Sequence, residues 1–468
     1  MTVTSSRSSH PHRTSRAPVA ADARRARWAV SLIFFLNGAS FCAILPRYPQ
    51  LVESIGLSNG SFGLAVGLGP IGGLAAGLLA APLMARFGSA RVAVAFQVVA
   101  STVHLLVYTS ATWLWLAAAL FLAAASDSIT DVSMNAHGMR VERRYRRSIL
   151  NSYHGWWSLG AVTGGILGSV CAQLAVPLWI QGLVGLVLFG SLALGSRRFL
   201  LTGHDSTERR PAALEAGLAA PSAASAAAPA AATEEALGGE TASAGETAGA
   251  DSATGSDATT GTGATTGTGV TRASTLRGLL LIAALGLVLV FAGATEDAGN
   301  TWGALFMRDT FEATPFLAGL AFVALQGAQT VGRFLGDGVV DRLGDRLTAR
   351  IGALLSGAGM AMALIFPHPA TALIGFACAG WGIATLFPAA FRAADEMEGV
   401  PHGLGITVVG WFARIGFFVT PPIVGALADA LTLRFALWLV PLYALGILVF
   451  SGVLSARTAS TTEAGARA

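Results

Sequence analysis

The chain has 468 residues, 53% of them apolar and 12% charged, with 30 basic residues against 26 acidic ones and a net charge of +4. About a quarter of the residues in a soluble domain are charged, so roughly half that share, with a mean hydropathy of +0.61, excludes an ordinary soluble fold and makes lipid the solvent. The positive balance is not a nucleic-acid signal, because the arginines fall in short loops between apolar runs, and no nucleic-acid partner is expected.

Residues 1–27 are polar and arginine-rich and read as a disordered tail. The apolar run over 28–48 is too long for the core of a signal peptide and lacks a small-residue cleavage site, so it reads as a first membrane anchor. Runs of about 19–25 residues, each long enough for a hydrocarbon core of roughly 30 Å, follow at 60–81, 91–109, 112–134, 149–171 and 175–195. Residues 203–273 are mostly Ala, Gly, Ser and Thr with scattered acids; such a segment cannot offset its ordering entropy and reads as a disordered linker. A second set of runs covers 277–298, 314–337, 349–367, 370–391, 402–426 and 432–454, and 457–468 reads as a disordered tail. Backbone groups in lipid must be satisfied within their own segment, so all twelve runs are helices. The expected fold is all-α: twelve transmembrane helices in two six-helix bundles, over 28–202 and 274–456.

The short loops of one side hold Arg86, Arg91, Arg140, Arg143, Arg144, Arg146, Arg147, Arg342, Arg346, Arg350 and Arg392, whereas the other side has Arg47, Arg308 and Arg434. That bias puts both termini and the linker in the cytoplasm and the chain in the cytoplasmic (inner) membrane. A shift of 256 residues superimposes Gly63-Leu64-Ala65 on Gly319-Leu320-Ala321 and Arg86-Phe87-Gly88 on Arg342-Leu343-Gly344. A duplicated six-helix unit predicts a solute site between the halves, near the bilayer midplane.

Ionisable groups within spans are costly in lipid, so each marks a candidate solute or proton path. Asp127, Asp131 and Asn135 are spaced by four and share one face of the fourth helix. Two carboxylates so close repel, which favours one of them holding a proton. Both are proton-coupling candidates, and Asp131 could instead cap or pair near the cytoplasmic end. Glu296 and Asp297 precede Trp302 at the expected outer end of the seventh helix, where they line the external mouth or face water; Glu296 is the third coupling candidate. Arg414, in mid-span, needs a cavity or a partner: it is either a solute-binding fork of donors or one side of a salt bridge to a fourth-helix acid. Asn37 is either cavity-facing or an interhelical packing group. His154 and Trp157 open the fifth helix, and Trp381 and Trp411 lie within spans; with Asn135 and Trp302 these are cavity candidates, although tryptophan also anchors at membrane interfaces. Glycines 155, 160, 164, 165 and 168 on the fifth helix, and Pro421-Pro422 on the eleventh, suit either close packing or rearrangement. Cys42, Cys171 and Cys378 have no metal-ligand spacing and read as small buried hydrophobes. No phosphate-binding glycine loop or nucleophile–base pair stands out, so neither an enzyme nor a bound cofactor or metal is expected.

The segment Gly336-Asp337-Gly338-Val339-Val340-Asp341-Arg342-Leu343-Gly344-Asp345-Arg346 resembles the loop signature of the major facilitator superfamily, G-x-x-x-D-R-x-G-R-R, with Asp337 at the usual glycine position. The first-half copy keeps Arg86, Gly88 and Arg91 but has Ala85 in place of the acid. The resemblance implies a gate in which Gly336 and Gly344 let the helix ends pack closely and Asp341, with Arg342 and Arg346, holds one state through charge-assisted contacts. Asp131-Val132-Ser133-Met134-Asn135, Asn151 to Gly160 and Pro46-Arg47-Tyr48-Pro49-Gln50 resemble segments of the fucose-permease-like proton-coupled sugar porters, whose helix 1 aspartate is Cys42 here. Taken together these features imply a monomeric secondary active transporter of a small polar solute or sugar, coupled to protons by alternating access. Efflux of a drug or hydrophobic metabolite by proton antiport is one rival, although the fifth helix lacks the proline of the antiporter motif; a membrane sensor that binds solute without passing it is another.

Overall fold

A computed structural model describes residues 20–145, 149–203, 272–397 and 404–454. The linker over 204–271, most of the two tails, and Arg146 and Arg147 lie outside these residues. The described residues form twelve long helical segments and no strand. In chain order they are α1 (Ala21–Ile55), α2 (Asn59–Phe87), α3 (Ser89–Tyr108), α4 (Trp113–Tyr145), α5 (Leu150–Gln173) and α6 (Leu178–Phe199). The second half supplies α7 (Arg272–Phe311), α8 (Pro315–Leu343), α9 (Asp345–Ile365), α10 (Pro369–Asp395), α11 (Leu404–Ala430) and α12 (Leu433–Val453). Eleven are both long and apolar enough to cross a membrane. The remaining one, α5, has 24 residues, and its glycines, serines, His154 and Gln173 lower its hydropathy.

Several boundaries differ from the sequence reading, three of them in ways that bear on charged residues. The first helix begins at Ala21, inside the segment read as a tail: Asp22 sits in its first turn, complementing the helix dipole, and forms a 2.8 Å ion pair with Arg144. The fourth continues past 134 to Tyr145, so Arg140, Arg143 and Arg144 ride on its last turns. Arg140 is held there by the carbonyls of Thr202 (2.6 Å) and Gly203 (3.1 Å). The seventh continues past 298 to Phe311, placing Glu296, Asp297 and Trp302 inside a helix and not at its end. Nothing in Gly299–Trp302 breaks a helix, and the acids are covered by protein, so they impose no lipid penalty that would end it.

The 256-residue repeat is visible in the backbone. Gly88 and Gly344, which join α2 to α3 and α8 to α9, have φ of 82° and 78°, conformations that L side chains rarely adopt. A Cβ on Gly160 of α5 would lie 2.1 Å from the carbonyl oxygen of Phe35, and one on Gly416 of α11 would lie 2.4 Å from that of Val290. Gly164 and Gly168 extend the α1–α5 contact: a Cβ on either would stand 2.3 Å from a carbonyl oxygen of α1, that of Ala39 or Ala43 respectively. The fifth-helix glycines therefore serve close helix packing.

The halves meet mainly at the end that carries Arg47, Arg308 and Arg434. There Gly63 of α2 abuts the carbonyl of Pro421, and Gly425 of α11 abuts that of Asn59. The Asp429 carboxylate accepts from the backbone N–H groups of Asn59 (2.9 Å) and Gly60 (2.7 Å). Arg308 donates to the carbonyl of Pro49 at 2.7 Å and lies 3.8 Å from Glu53. Arg47, a loop arginine by the sequence reading, is buried and donates to Gln50, Gln181 and the carbonyl of Val176. Along the length of the protein α5 packs on α8, with Gly165 against Phe322 and Gly155 against Phe334.

Candidate functional site

A cavity of about 390 Å³ lies between the halves, walled by α1, α2, α3, α4 and α5 on one side and α7, α8 and α11 on the other. This is the size of a small-metabolite site. Four carboxylates line it, Asp127, Asp131, Glu296 and Asp297, together with Arg414, the amides Asn300 and Gln326, Tyr48, His104 and Trp157.

The first-half wall is tied by one hydrogen-bonded chain. The indole Nε1 of Trp157 donates to Asn37 Oδ1 at 2.9 Å, and Asn37 Nδ2 donates to Asp127 Oδ1 at 2.7 Å. Asn37 is 2% exposed, so the amide is a bridge behind the cavity wall and not a lining group. Three helices (α1, α4 and α5) thereby fix the position of one carboxylate. Asp131, one turn further along α4, is exposed to the cavity; its Oδ1 accepts from Asn135 Nδ2 at 3.0 Å. Asn135 itself lies outside the lining. Asp131 does not cap the helix, which continues for about four more turns.

Across the cavity Arg414 is exposed to the same space and near enough for its charge to act on Asp131. Its Nη1 reaches the carbonyl of Gly410 at 3.4 Å, and among the described residues it forms no salt bridge with an α4 acid. Glu296 and Asp297 are 9% and 5% exposed and line the cavity, which corrects their placement at an outer mouth: α7 carries them inward, facing the other half. Asp297 Oδ1 accepts from Thr301 Oγ1 at 2.9 Å, whereas its Oδ2 is buried without a partner.

Several candidates fall elsewhere. Trp302 is fully buried and edge-on to Phe62, ring centroids 5.6 Å apart, so it packs between the halves and does not line the cavity. His154 is exposed and packs edge-on to Phe34 outside the cavity lining. Trp381 borders a separate small cleft with Gly332 and Gly336, and Trp411 is 56% exposed on α11; neither lines the central cavity. The spacing of these rings along their helices is right, but the rotation of each helix turns them away. Conversely, the sequence reading misses Asn300, Gln326 and His104. Gln326 and His104 fall within predicted spans, so the cost of a polar group in lipid is the signal that could have found them.

At the arginine-rich end Arg392 pairs with Asp345 at 2.6 Å, between α9 and α10. The equivalent contact in the first half is Ser89 Oγ to His137 Nδ1, 2.9 Å. Arg346 donates to the carbonyls of Leu454 (3.0 Å) and Gly452 (2.7 Å). Asp337 and Asp341 are exposed, as are Arg86 and Arg342, and Asp341 has no hydrogen-bond partner among the described residues. Gly336 is buried, where an added Cβ would meet the Thr385 methyl at 2.6 Å.

The profile of the Major Facilitator Superfamily matches residues 30–295 and 285–467. The chain is 27% identical over 430 residues to the transporter y4wD of Sinorhizobium fredii (strain NBRC 101917 / NGR234), covering 90% of this chain and 96% of the relative. It is 25% identical over 422 residues to an MFS-type transporter of Yersinia pestis, covering 89% and 92%. Membrane protein MosC of Rhizobium meliloti is 35% identical over a shorter stretch of 164 residues, 35% of this chain and 40% of MosC. Among solved structures the fold is similar to the nucleoside transporter NupG, with a TM-score of 0.65, 11% identity and coverage of 93% and 99%. It is also similar to a bacterial homologue of the human lysosomal transporter Spinster, with a TM-score of 0.64, 12% identity and coverage of 93% and 97%. Twelve helical segments among the described residues in two repeated halves, a cavity between them that charged groups line, and a match along nearly the whole chain lead to one conclusion: the chain belongs to the Major Facilitator Superfamily and is a multi-pass membrane transporter of that type.

Proposed function

We propose that the chain is a proton-coupled secondary active transporter, which carries a small polar solute across the cytoplasmic membrane by alternating access and works as a monomer. The observation that carries this reading is the cavity between the halves, where four carboxylates, two amides and Arg414 converge. An apolar cavity around one isolated acid would instead favour efflux of a hydrophobic compound. The arginine bias places the termini and the arginine-rich loops in the cytoplasm. On that orientation the contact of α2 with α11 closes the outer end, and the cavity is accessible from the cytoplasm. Asp341, unpartnered among the described residues, fits a cytoplasmic gate in its released state, ready to form charge-assisted contacts when the halves close there.

Asp131 is the proposed coupling acid. It faces the cavity, near Arg414, with Asn135 as its one hydrogen-bond partner among the described residues, whereas Asp127 is engaged by the Asn37–Trp157 bridge. Solute and proton can then compete for, or jointly occupy, a site that opens to each side of the membrane in turn.

The test is tracer flux in proteoliposomes with and without an imposed pH gradient. Wild type should accumulate solute; a pure sensor would bind and never accumulate. Asp131→Asn keeps shape but cannot titrate, so it should lose gradient-driven accumulation while retaining exchange down the solute gradient. Wild-type accumulation and pH dependence in this variant would show that the assignment is wrong.

A further inference from the structure

The α7 wall of the cavity has a chemistry of its own. Glu296, Asp297, Asn300 and Thr301 lie within two turns of that helix, and all four line the cavity. Asp297 is 5% exposed, and its Oδ2 has no hydrogen-bond partner; the side-chain oxygen of Asn300 is likewise buried and unpartnered. A buried acceptor without a donor costs a large part of its hydration, so two of them three residues apart on one helix leave this wall short of donors. What both oxygens lack is N–H or O–H donors, and what the two neighbouring carboxylates lack is positive charge. The cavity supplies little of either: among the described residues Arg414 is its one arginine, and it faces Asp131 on the far side. On α8 Gln326 also lines the cavity, and its amide Nε2 is buried without a partner among the described residues.

From this arrangement we infer that the α7 face is an ammonium subsite, so that the transported solute is a small organic cation bearing hydroxyl groups. A primary ammonium brings three donors and one positive charge, which matches Asp297 Oδ2, the Asn300 oxygen and Glu296. A hydroxyl oxygen on the same solute takes the Gln326 donor. The work is thus divided between the halves: the α4 acid handles the proton and the α7 acids hold the solute. The inference rests on the transporter reading above but is tested by binding, so the two can fail separately.

The experiment uses the purified full chain in detergent and two matched series of probes: glucosamine, glucose and glucuronate, then serinol, glycerol and glycerate. A ligand that binds the folded protein raises its melting temperature by mass action. The expected result is that glucosamine and serinol raise it at concentrations where their neutral and carboxylate counterparts do not. Asp297→Asn, which keeps the Thr301 bond, should weaken amine binding by at least about tenfold, since hydrogen bonds to a charged group are the strong ones. Glu296→Gln provides a second variant should Asp297→Asn not fold, and it should weaken amine binding in the same direction. Equal or larger shifts from the neutral or carboxylate members would overturn the inference. So would the absence of any shift with the amines, or amine shifts that survive in every folded variant of the two. Amine binding without flux in proteoliposomes would defeat the transporter reading and leave the ammonium subsite standing.

Discussion

Asn37→Ala tests the bridge that ties α1, α4 and α5. The substitution removes two hydrogen bonds at once, the 2.7 Å bond to Asp127 and the 2.9 Å bond from Trp157. Interhelical hydrogen bonds in membrane proteins average about 0.6 kcal/mol in double-mutant cycles and reach about 1.7 kcal/mol. The Asp127 bond is short and has a carboxylate acceptor, which places it near the top of that range, at about 1.5 kcal/mol. The indole bond joins neutral groups and belongs near the mean, at about 0.6 kcal/mol. Asn37 is 2% exposed, so the lost amide also leaves a small void, and the whole substitution should cost about 2–3 kcal/mol. Equilibrium unfolding in mixed micelles measures it, with cycles that pair Asn37→Ala with Asp127→Ala and with Trp157→Phe, the latter removing the N–H and keeping an aromatic ring. The Asp127 cycle should exceed the Trp157 cycle by about twofold. A total cost under about 0.5 kcal/mol, or coupling below about 0.3 kcal/mol in both cycles, would mean that the bridge does not hold these helices together.

Asp429→Ala removes the acceptor of two backbone N–H groups at the closed end, a loss of about 1.5–3 kcal/mol, less for its exposure. A cysteine introduced at Ser61 should then react faster with maleimide in detergent; an unchanged rate would mean that this contact does not hold the end shut. Asp341→Ala should slow turnover and leave equilibrium binding nearly unchanged, whereas Asp345→Ala, which orphans Arg392, should lower the melting temperature; a large loss of solute affinity in Asp341→Ala would misplace the gate. Gly164→Ala forces a Cβ to 2.3 Å from the Ala39 carbonyl and should cost about 1–3 kcal/mol through overpacking, with Gly195→Ala, which meets nothing within 4 Å, as the silent control. Equal melting temperatures for those two variants would contradict the tight α1–α5 contact.

The sequence alone determined the all-helical membrane fold and the duplicated half, because lipid demands apolar runs of a set length and because a glycine with positive φ must recur wherever the same sharp joint recurs, as at Gly88 and Gly344. It also marked Asp127, Asp131 and Arg414, since a charge inside a span is conspicuous in any one-dimensional reading. The tertiary structure decided which face each helix turns to the other half. Asn37 was legible as a polar residue in a span, but its role as a bridge depends on Trp157 and Asp127, 120 and 90 residues away. Trp302 and Asp297 lie close together on α7, yet one is packed against Phe62 and the other lines the cavity. Spacing along a helix gives relative angles only. The absolute rotation is set by where glycines let backbones touch, as Gly160 does at Phe35 and Gly416 at Val290, and those contacts exist only once the distant segments have met.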